Sequence, residues 1–267
     1  MTVTSTISFL GQSLAQSSRL GDLRTTLDDL QRQATSQKKT TTFSGLGSDA
    51  LSVQRFRTTQ SLLQSYLDNI DKVSSRMTLM TNAMQAMSEQ VSSLVSAIQL
   101  NLQGGQTDMS SINQQAKDSL QMVEDLVNTN LDGHYLFSGS DVTNVPFVDD
   151  TTLNANFQNQ VTGWLNGSIS NAQITANTDA FTTANLGLSS GLITAGTMTA
   201  RVDQDIDVDY TVKADSAGFQ DIIRALTFAA NLKYPDPNTD VPTQTNFNDV
   251  LSHILTIASN GRSEMDS

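Results

Sequence analysis

Residues 56–101 read FRTTQSLLQSYLDNIDKVSSRMTLMTNAMQAMSEQVSSLVSAIQLN. Taking Phe56, Leu63, Ile70, Met77, Met84, Val91 and Ile98 as a positions places Thr59, Tyr66, Val73, Met80, Met87, Leu94 and Asn101 at d. Of these 14 positions 12 are apolar, and only Thr59 and Asn101 depart. A 3-4 spacing held over that distance lays one narrow stripe along a helix and turns it toward a partner helix. Ser48 or Asp49 offers an N-cap and Gly104-Gly105 a stop, so the pattern predicts a helix over 50–103. At 1.5 Å per residue it would be about 80 Å long. Four successive seam positions are methionine: Met77, Met80, Met84 and Met87. Ordinary seam filling explains them, and their flexibility would also tolerate sliding between packed helices.

Shorter periodic stretches flank this element. Leu20, Leu23, Leu27 and Leu30 repeat the 3-4 spacing, between Thr-, Ser- and Gly-rich residues at 1–13 and 35–48. Alone such a segment is marginal as a helix and is expected to stay mobile until its leucines are covered. After the Gly-Gly stop, Thr107-Asp108 offers a cap for a helix through Ile112, Ala116, Leu120, Val123, Val127 and Leu131. The short loop predicts an antiparallel hairpin with the long helix. Helical spacing returns at Phe219, Ile222, Ile223, Leu226 and Ala230, with Ser216 as cap and Pro235 and Pro237 as terminators. It recurs at Phe247, Val250, Leu251, Ile254, Leu255 and Ala258 after Thr245. Between about 141 and 214 the chain is rich in Asn, Thr and Gly with scattered β-branched residues, which reads as short strands. Thr199–Lys213 alternates most clearly, with Asp203, Asp205, Asp207 and Asp209 on one face.

The expected fold is therefore α+β and elongated, a long antiparallel helical bundle or coiled coil with an inserted small β-rich domain and a mobile N-terminus. The divisions are 1–48, a mobile segment with a short amphipathic helix; 49–132 plus 215–267, a helical rod; and 133–214, the β-rich insert.

Composition narrows the function. Among 267 residues Ser, Thr, Asn and Gln number 104, and the formal net charge is −12. Such acidity argues against nucleic-acid binding, which needs a basic face to displace counterions. Cysteine is absent, which excludes disulfides, thiolate metal sites and cysteine nucleophiles. Residues 1–76 carry nine basic and six acidic groups, whereas 77–267 carry six basic and 21 acidic. This asymmetry reads as a solvated surface or as two portions facing different neighbours. The first basic residue is Arg19 and Thr4, Ser5, Thr6 and Ser8 break the early apolar residues, so no cleavable signal peptide is expected. No apolar stretch is long enough to span a membrane.

Chemistry is sparse. His134 and His253 stand in no catalytic or metal spacing and read as turn or surface residues. Gly45-Leu46-Gly47 has neither a preceding strand nor the Lys-Ser/Thr ending of a phosphate loop. The four alternating aspartates are the best metal candidate, since carboxylates along a strand could hold calcium loosely. They form no EF-hand, with Val208 at the glycine position and Ala214 at the bidentate Glu position. A solvated strand face is the reading adopted, and no catalysis, cofactor or metal is expected.

The order of these features resembles the flagellin superfamily, and more closely its hook-filament junction proteins of the FlgL type (hook-associated protein 3). The most specific stretch is Asn128-Thr129-Asn130-Leu131-Asp132-Gly133-His134-Tyr135-Leu136-Phe137-Ser138-Gly139. It is similar to the family's N-T-x-x-x-G-x-Y-L-F-S/A-G, with Tyr135, Leu136, Phe137 and Gly139 as the motif residues. Tyr66-Leu67-Asp68-Asn69-Ile70 is similar to the family's Y-x-x-N-I, and Val208–Asp215 followed by Gly218-Phe219 to its strand-to-helix passage. The likeness covers roughly residues 1–235. In place of the Ser-Gly-x-x-Ile-Asn…Asp-Asp-Pro/Ala-Ala stretch common in flagellins and many junction proteins stands Thr42-Phe43-Ser44-Gly45-Leu46-Gly47-Ser48-Asp49-Ala50, which counts against filament flagellin itself. Family members also continue with a longer C-terminal helix that pairs with the N-terminal one, whereas few residues follow Pro242 here.

The resemblance implies an extracellular structural component of the bacterial flagellum, exported through the type III channel, that joins hook to filament and seats the first flagellin subunits. Implied partners are other copies in a ring, the adjacent hook-associated protein, flagellin and an export chaperone, without nucleic acid or membrane insertion. The seam implied is Leu20, Leu23, Leu27, Leu30, Phe56, Leu63, Tyr66, Ile70, Val73, Met77, Met80, Met84, Met87, Val91, Leu94 and Ile98. A flagellin-like filament subunit and an unrelated secreted helical adhesin or type III translocator remain open alternatives.

Overall fold

A computed structural model describes residues 3–38, 40, 43–104 and 109–266. The chain divides into two compact units, 1–65 and 66–267. The first contains α1 (Val3–Ser36), a short 3-10 segment (Phe43–Asp49) and the start of α2 (Ala50–Gly104). The expected helix around the four leucines is thus 34 residues long rather than short. No proline interrupts this stretch, and a lone Gly21 within it costs only about 1 kcal/mol. Gly47, inside the 3-10 segment, has φ of 54°, the left-handed backbone that glycine adopts without a Cβ clash.

The second unit holds the core. Here α2 continues to Gly104, the glycine at which the long pattern was expected to stop. The next helix, α3 (Ser110–Val127), has Met109 at its N-cap position; the expected cap pair Thr107-Asp108 lies outside the described residues. Ser119 donates to Gln90 across α2 and α3 at 3.2 Å. Ile112, Ala116, Leu120, Val123 and Val127 are all buried. At the centre lies α7 (Ala217–Asn231), in which every residue from Gly218 to Ala230 is buried except the half-buried Gln220 and Asp221. A helix apolar nearly all round needs cover on every side. It packs against α3, α4 (Asp150–Leu165) and α8 (Gln244–Met265). Gly218 and Gly261 let α7 and α8 come close: a Cβ on Gly261 would lie 3.0 Å from the Gly218 carbonyl oxygen. The Asn113 side chain donates to the Ala229 and Leu232 carbonyls at 2.6 and 2.9 Å, satisfying acceptors left open where α7 ends.

The fold is α+β, as expected, with two small antiparallel sheets, yet the insert holds more helix than strand. Expected as short strands, residues 141–214 instead carry α4, α5 (Asn171–Asp179) and a single turn, α6 (Gly191–Thr194). The reason lies in Leu153, Phe157, Val161 and Trp164, all buried. Their 4-4-3 spacing gives one helical stripe, which the surrounding Thr and Asn residues mask in composition. Thr199–Lys213 is likewise not one strand. It folds into a hairpin of β3 (Thr199–Asp203) and β4 (Ile206–Asp209), with Arg201 opposite Asp207 and a bulge before Asp203. Folding back pairs backbone groups that a lone extended strand would leave open. No described helix is long and apolar enough to cross a membrane.

The bundle holds one poorly compensated charge. Glu124 on α3 is only 8% exposed, and burial, with Asp150 and Asp125 nearby, pushes its pKa up to about 7. The native chain therefore holds a proton there that the unfolded chain, with an ordinary carboxyl near 4.5, has released. Stability should fall as pH rises from about 4.5 through 7 and level off above, by at most about 3 kcal/mol. Glu124→Gln should raise the melting temperature at pH 8 and leave it nearly unchanged at pH 4. Equal effects at both values in thermal melts would contradict this.

Candidate assembly surface

Different stretches of the heptad repeat meet different surroundings. From Met80 onward in α2, Met80, Met87, Val91, Leu94 and Ile98 are buried and Met84 is half-buried against them. Asn101, the polar d position, is buried as well. Ser88 donates to Asp266 next to α8 at 3.2 Å. Tyr66 and Val73 are half-buried, whereas Ile70 and Met77 are 40% and 46% exposed. In the first unit Phe56 and Leu63 are exposed, Phe56 by 75%. The same sequence rule thus yields core in one place and open apolar surface in another.

On α1 the leucine face is bare. Leu20, Leu23, Leu27 and Leu30 are each more than half exposed, and between Gln16 and Ser36 only Gln33 is even half-buried. At about 100° per residue the four leucines fall within an arc of roughly 80°, so they form one stripe. Helices with an uncovered stripe of this kind gain little from their own unit.

Within the second unit an open apolar groove of about 560 Å³ lies between α2 and the β3–β4 hairpin, lined by Ile70, Val73, Met77, Val202 and Val208. Asn69 on α2 donates to the Arg201 carbonyl at 3.0 Å and holds the hairpin beside the helix. Arg76 donates to the Tyr135 carbonyl at 2.7 Å, while its Nε is buried without a hydrogen-bond partner.

The motif residues serve the fold around this surface. Asp132 and Gly133, both at positive φ, form the two-residue turn between β1 (Asn130–Leu131) and β2 (His134–Tyr135). Positive φ at both central residues is what a tight type I′ hairpin requires. Leu136 and Phe137 are buried, and the Phe137 ring packs 5.1 Å from that of Phe219 on α7. Gly139, at φ 61°, could not carry a Cβ without approaching the Gly196 carbonyl oxygen to 2.9 Å. Lys213 pairs with Ser138 through a bridge, and Ala214 donates its N–H to Phe137, so the motif clamps the strand-to-helix passage.

The four aspartates do not line one face. Asp205 sits in the turn, Asp207 pairs with Arg201 through two bonds of 2.9 Å, and Asp209 accepts from the Thr211 N–H. Hydrogen bonds from Arg201 and Thr211 hold Asp207 and Asp209 below the usual carboxylate range. Among the described residues no three His, Cys, Asp or Glu side chains are grouped to hold a metal ion. His253, expected as a surface residue, joins α8 to α5 through Asp179 at 2.9 Å; no short-range sequence spacing could have revealed this contact.

No family model matches the chain, and no curated protein sequence matches it significantly. The fold does have a counterpart among solved structures, in a protein from Vibrio parahaemolyticus provisionally described as a flagellar hook-associated protein. The two align with a TM-score of 0.50 at 16% identity, covering 83% of this chain and 88% of the other. At that identity the likeness is one of fold.

The contrast along α2 is measurable. Met87→Ala should cost about 2–4 kcal/mol, because the site is fully buried and a cavity is left behind. Met77→Ala should cost under about 1 kcal/mol. Similar losses in urea denaturation would show that Met77 is covered after all.

Proposed function

We propose that this chain is a structural subunit of the bacterial flagellum that joins hook to filament and seats the first flagellin subunits. The observation that carries this reading is the uncovered apolar stripe on α1, together with exposed Phe56 and Leu63 on α2, in a chain whose fold matches a protein described as hook-associated. Fold alone does not assign function, but exposed heptad positions ask for helical neighbours, and copies of the same chain supply them. The order of the Asn128–Gly139, Tyr66–Ile70 and Val208–Phe219 stretches supports the same family.

On this reading the chain leaves the cell through the flagellar type III channel, with a chaperone covering its stripe before export. Leu20, Leu23, Leu27 and Leu30 are buried when copies form a ring, with the adjacent hook-associated protein on one side and flagellin on the other. Each leucine buried on assembly contributes about 1.5–3 kcal/mol against a side-chain ordering cost of about 0.5–1. No chemistry is performed.

A deletion strain of the source bacterium should bear hooks without filaments and shed flagellin into the medium. Wild-type chain should restore filaments and label at the distal hook tip, whereas Leu23→Gln/Leu27→Gln should not, despite monomer stability within about 0.5 kcal/mol of wild type. Filaments of normal length on the deletion strain would overturn the junction role. In hydrogen exchange, residues 16–36 should be weakly protected in the isolated monomer and strongly protected in the assembled ring.

A further inference from the structure

The second unit contains a polar cleft of about 540 Å³ between α3 and α4, at the end of α7. Glu124, a residue more than nine-tenths buried, lines it, and its carboxyl has no hydrogen-bond partner among the described residues. Asp150, in the first turn of α4, lines the same cleft and acts on Glu124 through its charge. Asp125 also repels that carboxyl. Around them stand amides. Asn231 donates to Asn154 at 3.1 Å and to the Thr227 carbonyl at 2.9 Å, and its oxygen accepts from no described residue. The amides of Gln121 and Gln158 also line the walls and make no hydrogen bond to other described residues.

An unpaired carboxyl in low dielectric is costly unless something positive or a proton meets it. Lys117, the one cation on the rim, sits two helical turns from Glu124, about 10 Å along α3, and makes no ion pair with a described residue. The other wall, α4, brings Asp150 to the cleft, and α7 brings only the amide of Asn231. With two carboxylates and several amide oxygens, acceptors predominate. The volume far exceeds what one metal ion needs, and no third carboxylate closes a coordination shell.

We propose that this cleft binds an organic cation, an ammonium or guanidinium group seated between Glu124 and Asp150. Its N–H donors meet the carboxylates and the free amide oxygens, forming charge-assisted bonds. Leu120 and Ala155, also in the lining, accept the attached carbon chain. The group comes either from a small basic molecule or from a Lys or Arg side chain of another copy. Binding favours the ionised Glu124 and so releases a proton near neutrality. This site is independent of the flagellar reading and stands or falls without it.

Agmatine, which carries both an amine and a guanidinium, is the probe. Isothermal titration of the full chain should give saturable binding at pH 8, weaker by about tenfold at pH 6, since a carboxyl titrating near 7 is mostly protonated there,. Glu124→Gln should lose at least tenfold in affinity and lose the pH dependence, and Asp150→Asn should lose less. Carboxyl carbon NMR should place the Glu124 midpoint near 7 in the free chain and lower with agmatine bound. Sedimentation velocity separates the sources: dissociation of oligomers by agmatine assigns the cation to a second copy, and binding to a monomer with no change in mass assigns it to a small molecule. Binding no stronger than to matched sodium chloride, or binding indifferent to both pH and Glu124→Gln, would overturn the proposal.

Discussion

The structure depends on how the buried half of one long helix is covered. From Met80 to Ile98 the seam of α2 joins a core whose centre is α7, a helix that is buried nearly all round and so cannot exist without neighbours,. α3, α4 and α8 close the remaining sides, and each supplies a stripe at helical spacing. Phe157, for example, packs its ring 5.7 Å from Phe228 of α7 and 5.0 Å from Phe181. Where this cover is missing the identical repeat becomes surface. Nothing in the heptad pattern itself distinguishes Ile98, fully buried, from Ile70, 40% exposed.

The uncharged polar surface follows from the same design. Many hydroxyls turn back onto their own helix: Thr25 bonds the Gly21 carbonyl, Thr26 that of Asp22, Thr78 that of Ser74 and Ser96 that of Ser92. A hydroxyl satisfied by the carbonyl four residues back needs no outside partner. Helices dressed in this way can pack against other helices without stripping water from ions, the costly step in bringing charged surfaces together. A surface of Ser and Thr therefore keeps a monomer soluble and still permits close lateral packing.

Much of this was legible in sequence, because periodicity reports which residues share a face. Spacing marks the apolar stripes of α2, α7 and α8, and that of α3 as far as Val127, although Leu131, expected on the same helix, stands in β1; the Gly104 stop is read from residue type. The insert misleads because its composition masks its spacing: Leu153, Phe157, Val161 and Trp164 carry a helical signal within a Thr- and Asn-rich stretch. The break in Thr199–Lys213 at Gln204-Asp205 had no Gly or Pro to mark it, and it dispersed the four aspartates. Partners from distant parts of the chain, such as Asn113 with the end of α7 or His253 with Asp179, are set by tertiary packing and leave no local trace. For the assembly surface, spacing named the apolar residues but not which of them the chain itself would cover.

Charge adds direction to the proposed assembly. Residues 1–65 hold seven basic and four acidic groups, whereas 66–267 hold eight basic and 23 acidic. The first unit, net positive, is also the one whose leucines are bare. Where that stripe meets the second unit of another copy, a basic segment approaches an acidic body. At physiological salt such fields fade over about 8 Å, so they orient an approaching copy more than they hold it. Affinity is left to the leucines and to Phe56 and Leu63, which lose water only when a neighbouring helix lies along them. In the proposed ring, each added copy would present a bare stripe of its own until closure.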